Sequence, residues 1–410
     1  MSNKTILATC YAVNPFKGSE DAMGWNVVYQ IARFNNVIAI TRENNRDAIE
    51  KFMIENPDKV YSNITYLYFD LPYWMRFWKK GNWGSMLYFM LWQRGIISFI
   101  KKQNLTFDIT HNVNFHNDWT PSYLWKLEKP MVWGPIGHHP IIPVHYLKPY
   151  SFKYYLKDRA TWLVKKAFWN YSFSLKKTVA KADHIFCMNK GVEKVLNLSK
   201  KSFSIQPSVA TDDFSSNVIY QKTNFHIISV GRFVPLKGFD LTLLSFIKFL
   251  ENLSDTEKQH CTLTIVGTGP EKAFYKKIIA ENNVECYVEI IEWIDRKKLM
   301  TLYKKSSVFL FPSHEGAGMV VAEAMSFGLP VICLKNEGPG EFIDSTCGFA
   351  VSQTDYNNTI LELAEALRIL HSDKDLLHKM SIKARVNFQN NFTWNSRGEN
   401  LNTIYNKLYL

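Results

Sequence analysis

Two glutamates, Glu315 and Glu323, stand on either side of a glycine-containing loop in the C-terminal half of the chain. Gly316 and Gly318 let the backbone turn sharply and approach a ligand closely. The helix predicted from Met319 directs free backbone N–H groups and the positive end of its dipole at the loop, which favours an anion such as phosphate. Carboxylates beside such a site suit hydroxyl groups, so we expect Glu315 to hold a sugar ring and Glu323 a ribose. The alternative is a helix-terminal charge and a solvated glutamate.

Two cations, Arg232 and Lys237, lie on an earlier loop, between a strand predicted to end at Val230 and a helix predicted from about Asp240. An arginine fork and a lysine point charge at the carboxyl end of a strand suit a diphosphate. Either cation alone would be interpreted as a solvated surface residue. Because two such loops are present, a shared anion site is the better interpretation.

These loops resemble those of the nucleotide-sugar-dependent glycosyltransferases of the GT-B fold, family 4. The matching pattern is Gly-Arg at Gly231, Lys-Gly at Lys237, Glu-Gly-x-Gly at Glu315, and Glu-Ala-Met-x-x-Gly-x-Pro-Val from Glu323 to Val331. The resemblance covers the C-terminal half and implies transfer of a sugar with retention of anomeric configuration. It also implies two Rossmann-like doubly wound α/β domains that face each other across a cleft, with a C-terminal helix that crosses back to the N-terminal domain.

The resemblance implies a donor site on the C-terminal domain, with a UDP- or GDP-linked sugar as co-substrate and no cofactor. Cations and a helix dipole would take the charge of the leaving diphosphate, so no metal ion is expected. The nucleotide base would lie beside Trp293 and Ile294. Ala317 stands where the family often carries phenylalanine. The expected donor-binding residues are Gly18, Arg232, Lys237, Trp293, Ile294, Gly316, Ala317, Gly318, Met319 and Glu323.

Titratable and small polar residues follow predicted strands in the N-terminal half. Gly18 follows the first strand, and by resemblance faces the donor diphosphate; the alternative is a plain turn with a capping serine. A lone histidine is more often structural than catalytic, but three titratable groups in one strand-end loop, His111, His116 and Asp118, make a functional site as good an interpretation as a structural one. The resemblance implies a histidine here close to the donor sugar. The expected catalytic residues are Glu315, His116 and Asp118, and the candidates for the acceptor side or the cleft are Ser19, Glu20, Arg42, His111 and His138.

A chain of 410 residues is too long for one hydrophobic core, so two domains are expected. We place the N-terminal acceptor domain at 1–205, the nucleotide-sugar domain at 206–390 and the returning helix at 391–410, with a linker over 205–214. Six scattered cysteines indicate reduced thiols of a cytosolic protein. A net charge of +12 is compatible with an acidic partner.

Two stretches, 74–102 and 146–181, interleave Lys and Arg with aromatic residues. Rings at headgroup depth and cations on anionic lipids suit a membrane surface. The alternatives are amphipathic helices that pack into the core and an aromatic groove for an acceptor glycan. No apolar run reaches the length of a spanning helix. We expect a cytoplasmic protein, peripheral on the inner face of the cytoplasmic membrane.

The resemblance implies transfer of a hexosyl group to a glycan acceptor. Together with a cytosolic location and the basic aromatic stretches, it suggests the hypothesis of a lipid-linked acceptor in biosynthesis of a surface polysaccharide of the O-antigen or capsule type. Within the same fold, the alternatives are a sugar-nucleotide epimerase or a phosphorylase. A different class, a basic nucleic-acid-binding protein, would explain the charge. The sequence has no RNA-binding motif, and its bases follow aromatic residues rather than forming a run, so no nucleic-acid partner is expected.

Overall fold

The computed structural model describes residues 4–79, 81, 84–115, 117–207, 210–214, 224–316 and 318–409. The chain forms two compact units. The first is built from 1–138, 163–208 and 394–410, and the second from 139–162 and 209–393. Two residues of the expected linker, 208 and 209, lie outside the described residues.

Parallel strands form the centre of each unit. In the first unit they are β1 (Thr5–Cys10), β2 (Asn36–Thr41), β3 (Ile64–Tyr68), β4 (Ile109–Asn114), β5 (Met131–Ile136), β6 (His184–Cys187) and β7 (Phe203–Ile205). In the second they are β8 (Phe225–Val230), β9 (Cys261–Val266), β10 (Val288–Ile291), β11 (Val308–Phe311), β12 (Val331–Leu334) and β13 (Gly348–Val351). The sheet orders are β3-β2-β1-β4-β5-β6-β7 and β10-β9-β8-β11-β12-β13.

Helices connect the strands, as parallel pairing requires. They are α1 (Ser19–Ala32), α2 (Arg46–Glu55), α3 (Tyr73–Arg76), α4 (Ser85–Lys102), α5 (Val144–Leu147), α6 (Phe152–Tyr171), α7 (Phe173–Lys181), α8 (Lys190–Leu196), α9 (Phe239–Glu251), α10 (Asp255–Lys258), α11 (Lys272–Glu281), α12 (Arg296–Lys305), α13 (Met319–Ser326), α14 (Tyr356–Ser372), α15 (Lys374–Asn391) and α16 (Trp394–Tyr409). Among the residues described, no helix is both long and apolar enough to cross a bilayer.

The expectation of two parallel-sheet α/β domains is confirmed. In the second unit the strand order reverses beside β8, where β9 lies on one side and β11 on the other. Ligands bind at such a switch point, outside the carboxyl ends of the strands. The loops that follow β8 and β11 are those of Arg232 and Glu315, so the topology brings the two predicted parts of the anion site together.

The aromatic stretch 74–102 is partly core. In α4, Tyr88, Phe89, Trp92 and Ile96 recur at helical spacing, and all four are buried. They pack in the core of the first unit. The core-packing interpretation is therefore correct for the inner face of α4. Among the described residues of this stretch, the large rings that are exposed, Trp74 and Phe77, lie before α4.

Residues 139–162 pack in the second unit, although the sequence places them in the N-terminal domain. Tyr146 and Tyr150 are buried in its core. The hydroxyl of Tyr150 donates to the Oδ1 atom of Asp240 on α9 at 2.6 Å. A buried ring with a satisfied hydroxyl stabilises this packing, and sequence spacing carries no sign of it. The last helix, α16, belongs to the first unit, where it contacts α1 and β4.

Candidate functional site

A buried ion pair joins the loops that follow β8 and β11. The Nζ atom of Lys237 donates to the Oε1 atom of Glu315 at 2.6 Å, and the two side chains are only 14% and 15% exposed. The ammonium group also lies 5.1 Å from the centre of the Phe311 ring. The two residues, predicted separately as a phosphate ligand and a sugar ligand, are therefore direct partners in this structure.

A third charged residue, Arg232, acts on this ion pair. Burial raises the pKa of the Glu315 carboxyl, and Lys237 and then Arg232 oppose that rise. Arg232 itself is exposed. An exposed guanidinium beside a carboxylate that is already paired with a lysine leaves net positive charge facing solvent, as an anion site needs.

Two glycines allow neighbouring loops to pack closely against the loop that follows β11. Gly238, just after Lys237, has a φ of +65°, and a Cβ atom there would lie 2.1 Å from the carbonyl oxygen of Pro312. A Cβ on Gly338 would lie 2.2 Å from the carbonyl oxygen of Glu315. A larger residue at Gly238 would push the two anion-site loops apart, and one at Gly338 would push the loop after β12 away from the Glu315 loop.

Glu323 is buried on α13 and is not a solvated helix residue. The Nη2 atom of Arg296 donates to its Oε1 atom at 3.0 Å. Burial raises the pKa of Glu323, and Arg296 opposes that rise. The helix itself begins at Met319, directly after Gly318, so its free N–H groups lie beside the predicted loop. Arg296 was not identified from the sequence, because nothing in its spacing links it to Glu323.

Apart from Gly18, the remaining donor-side predictions lie in the same unit. Trp293 follows β10 and is 81% exposed, so its indole ring is open for stacking. Ile294 is partly buried against the core. The N–H of Gly316 donates to the Nδ1 atom of His139 at 3.2 Å. Ala317 lies outside the described residues. His139 therefore contacts the glycine loop, which the sequence did not predict.

In the first unit the candidates at the ends of β1 and β2 occupy different environments. Gly18 precedes α1 in an extended conformation, and Glu20 lies in the first turn of that helix. The structure does not describe the side chain of Ser19. Arg42 is held within the unit: its Nε atom donates to the Tyr11 carbonyl oxygen at 3.0 Å, and its guanidinium lies 4.1 Å from the Tyr11 ring centre.

His111 has a structural environment. It is fully buried on β4, and its ring nitrogens contact the Tyr405 hydroxyl at 2.6 Å and the Gly134 carbonyl oxygen at 2.7 Å. A carbonyl only accepts, so Nε2 carries the proton and Nδ1 accepts from Tyr405. Burial lowers the pKa of His111 to about 4. The imidazole therefore connects α16 to two strands of the sheet and has no nitrogen left for a ligand.

Asp118 and His138 form a buried pair that the sequence did not predict as a pair. The Nδ1 atom of His138 lies 2.7 Å from the Oδ2 atom of Asp118. Asn189 fixes the main chain of His138 from both sides, accepting from its N–H at 3.2 Å and donating to its carbonyl oxygen at 2.9 Å. The Oδ1 atom of Asp118 has no partner among the described residues. His116, the other expected catalytic residue of this loop, lies outside them.

Within the described residues, no group of three or more His, Cys, Asp or Glu side chains is arranged to hold a metal ion. The free cysteines are Cys10, Cys187, Cys261, Cys286, Cys333 and Cys347 in that part of the chain, and Cys286 alone among them is exposed.

Residues 211–387 match the family described as glycosyl transferases group 1. This match lies within the second unit and contains the Arg232, Lys237, Glu315 and Glu323 positions. An uncharacterized glycosyltransferase of Haemophilus influenzae is 31% identical over 175 residues, 42% of this chain and 46% of that protein. A GDP-mannose-dependent alpha-(1-6)-phosphatidylinositol monomannoside mannosyltransferase of Mycolicibacterium smegmatis is 26% identical over 184 residues, 43% and 46% of the two chains.

Solved structures resemble the whole chain. Anabaena HepE in complex with UDP has a TM-score of 0.60 at 12% identity, covering 98% of this chain and 100% of that one. WaaG, a glycosyltransferase involved in lipopolysaccharide biosynthesis, has a TM-score of 0.60 at 16% identity, covering 97% and 99%. These likenesses confirm the GT-B architecture. The chain spans slightly less than half the length of the two curated relatives, so the sequence match supports a group 1 glycosyltransferase through the second unit.

Proposed function

We propose that this protein is a retaining glycosyltransferase of family 4 that moves a hexosyl group from a nucleotide-diphosphate sugar to a glycan acceptor. The observation that carries the proposal is the buried Lys237–Glu315 ion pair, with exposed Arg232 beside it. Cations suit a diphosphate and a carboxylate suits the hydroxyl groups of a sugar ring, so this combination fits a nucleotide-diphosphate sugar. The family match over 211–387 supports the same conclusion.

In this reaction the bond between the anomeric carbon and the diphosphate oxygen breaks, and a hydroxyl oxygen of the acceptor bonds to that carbon. Negative charge develops on the leaving phosphate oxygen, which takes up the proton of the hydroxyl group. Arg232, Lys237 and the N–H groups at the start of α13 are fixed before the reaction and stabilise that charge. Glu315 accepts hydrogen bonds from the sugar hydroxyls, and Glu323 from the ribose. The exposed indole of Trp293 stacks on the base. With this charge stabilisation supplied by the chain, transfer proceeds without a metal ion.

The names of similar proteins support a nucleotide sugar and leave two bases open. HepE was solved with UDP, whereas the mycobacterial relative is named as GDP-mannose-dependent. The latter name also includes a lipid-linked acceptor, and WaaG is named for lipopolysaccharide biosynthesis. We therefore extend the proposal to a lipid-linked acceptor in surface polysaccharide biosynthesis, at the cytoplasmic side of the membrane.

The first unit carries a surface suited to that location. Tyr73, Trp74 and Phe77 are each more than half exposed in and beside α3, as are Tyr171 and Phe173 around the start of α7. The sequence contains no Asp or Glu between Asp70 and Asp108, and the basic residues beside the first group include Arg76, which lies 3.9 Å from Asp70, and Lys79. We call the exposed rings of these two groups together the aromatic surface, and propose that each group binds anionic lipid headgroups.

The donor site is tested by thermal unfolding of the full chain with UDP, GDP and ADP, each with and without EDTA. We expect one nucleotide to raise the unfolding midpoint, the increase to persist in EDTA, and Arg232→Ala to abolish it. Arg46→Ala removes an exposed arginine of the first unit and should leave the increase unchanged. If no nucleotide raises the midpoint, or if Arg232→Ala responds like the wild type, the proposed donor site is wrong.

A further inference from the structure

A separate cavity of about 250 Å³ lies in the second unit. It opens at the carboxyl ends of three neighbouring strands, β11, β12 and β13. One wall consists of four consecutive apolar residues, Pro140 to Pro143, and the lining on the other side is formed by His314, Lys335, Asn336, Glu337 and Gln353. No donor-site residue of the preceding section lines it.

The polar wall of this cavity is held in place by its own hydrogen bonds. The Nδ1 atom of His314 lies 3.1 Å from the Oε1 atom of Gln353. An amide oxygen only accepts, so Nδ1 carries the proton and Nε2 is an acceptor. Asn336 donates to the carbonyl oxygen of Ser313 at 2.7 Å, and its Oδ1 atom accepts from the N–H of Gly340 at 3.4 Å. Groups that are already oriented lose little entropy on binding a ligand.

The cavity and the ion pair use opposite sides of one loop. His314 contacts Gln353, which follows β13, whereas the next residue, Glu315, contacts Lys237, which follows β8. The strands β8 and β13 are separated in the sheet by β11 and β12. A ligand in the cavity would therefore lie next to the donor loop without occupying the diphosphate position.

The lining defines the chemistry of the ligand. Burial lowers the pKa of His314 to about 4, so the imidazole is neutral at pH 7 and acts through hydrogen bonds. One ammonium group, on Lys335, and one carboxylate, on Glu337, are balanced in charge. Neutral imidazole and amide groups facing an apolar wall match a molecule with hydroxyl groups on one side and C–H groups on the other.

The volume of the cavity limits the size of the ligand. The volume is below the range of about 300–1,000 Å³ that is usual for drug-sized ligands, which favours a single ring over a nucleotide. We propose that the cavity binds one neutral pyranose ring of the glycan on which this protein acts. That the ring belongs to a glycan substrate rests on the proposed function; the binding of a sugar ring rests on the cavity alone.

The test is saturation-transfer NMR of the full chain with methyl glucoside, methyl mannoside and N-acetylglucosamine, and with glycerol as a hydroxylated control. At least one pyranose should bind, glycerol should not, and Gln353→Leu should weaken sugar binding about tenfold, since one hydrogen-bonding group is lost. Ile141→Phe, which fills the cavity from its apolar wall, should do the same. Gln259→Leu is the matched control on an exposed glutamine, and should bind sugar like the wild type.

The same samples are tested for nucleotide binding and for their thermal unfolding midpoint. Loss of sugar binding in both cavity variants, with nucleotide binding and midpoint preserved, supports the inference. No pyranose binding by the wild type, or equal binding by wild type and both variants, overturns it while leaving the donor site intact. Sugar binding that depends on the cavity in a protein that binds no nucleotide would support the cavity and overturn the proposed function instead.

Discussion

The carboxylate of Glu315 has two roles, because it pairs with Lys237 in this structure and is proposed to accept hydrogen bonds from sugar hydroxyls. We expect Glu315→Gln to bind the free nucleotide as the wild type does, but to lose most of the added affinity for the nucleotide sugar. The loss should be about tenfold or more, since a charge-assisted hydrogen bond contributes about 1.5–3 kcal/mol. Calorimetric titration with the nucleotide and with its sugar measures the difference.

Glu285→Gln is the control for that experiment, because Glu285 is an exposed glutamate of the same unit. It should leave both affinities unchanged. An unaltered preference for the nucleotide sugar in Glu315→Gln would show that the carboxylate does not contact the sugar. A loss of free-nucleotide affinity in that variant would instead indicate that Glu315 acts by positioning Lys237.

The residue types of the anion site are readable from the sequence, but most of their partners are not. Arg232, Lys237, Glu315 and Glu323 follow from loop chemistry and spacing. Arg296, which pairs with Glu323, lies on α12 whereas Glu323 lies on α13, so no spacing rule connects the two. The same holds for Asp118 and His138, which meet only because β4 and β5 are neighbours in the sheet.

For His111, the sequence could not show whether the side chain is functional or structural. A histidine at the end of a predicted strand is compatible with a ligand contact or with an internal hydrogen bond, and the sequence cannot distinguish them. The deciding partner, Tyr405, is 294 positions away on α16. Only the packing of that last helix in the first unit shows that both ring nitrogens are used.

At the scale of elements, Gly238 connects the turn after β8 to the end of β11. We expect Gly238→Ala to lower the free energy of unfolding by about 2–4 kcal/mol, because it combines left-handed backbone strain with a clash. The Cβ would lie 2.1 Å from the Pro312 oxygen. Because the two anion-site loops would move apart, nucleotide affinity should fall as well. Urea unfolding and nucleotide titration measure the two effects.

Gly81→Ala is the control that separates the effect of left-handed backbone strain from the effect of the steric clash. Gly81 also has a positive φ, +54°, but among the described residues, its chain neighbours aside, no atom lies within 4 Å of the Cβ position. This variant should lose only about 1–2 kcal/mol, the cost of left-handed backbone, and keep nucleotide affinity. Equal losses in the two variants would show that the contact between the loops is unimportant.

The aromatic surface is a second prediction about elements. Replacing Trp74 and Phe77 together by Ala should reduce sedimentation with vesicles that contain anionic lipid, while leaving the unfolding midpoint near that of the wild type, since both rings are exposed. Each ring that enters the lipid contributes to the binding free energy through the apolar area it buries there, about 25 cal/mol per Å². Salt should weaken the remaining attraction.

Ile54→Ala is the matched control, because Ile54 is an exposed apolar residue of α2, outside both aromatic stretches. It should sediment like the wild type. If the wild-type protein fails to bind anionic vesicles at low salt, or if the double variant binds as well as Ile54→Ala, the aromatic surface has another role.

For the whole molecule, alternation of strands and helices was sufficient to predict two parallel-sheet domains, because period and chain order are local properties of the sequence. The assignment of 139–162 was not predictable in that way. This segment packs through tertiary contacts, among them the bond from Tyr154 to Glu271 and that from Tyr150 to Asp240. Such contacts join residues that are more than 80 positions apart.

Three buried histidines should make the stability of the whole molecule depend on pH. Burial lowers the pKa of His111, His184 and His314 to about 4 in the folded protein, against 6.5 in the unfolded chain. As the pH falls below 6.5, the unfolded state takes up protons that the folded state does not, so stability decreases. The decrease should run from pH 6.5 to about 4 and then level off.

The contribution of one histidine is measurable by difference. The lowered pKa of His111 corresponds to a loss of about 3 kcal/mol in the free energy of unfolding once the pH is below the folded-state pKa. The urea midpoint of His111→Gln should therefore decline less steeply between pH 6.5 and 5 than that of the wild type. Buried carboxyls with raised pKa values, Asp240, Glu315 and Glu323, act in the opposite direction. They remain in both proteins, so the difference between the two slopes isolates the histidine. Identical slopes would mean that His111 is accessible to protons in the folded state, and that its bonds to Tyr405 and Gly134 do not hold the ring neutral.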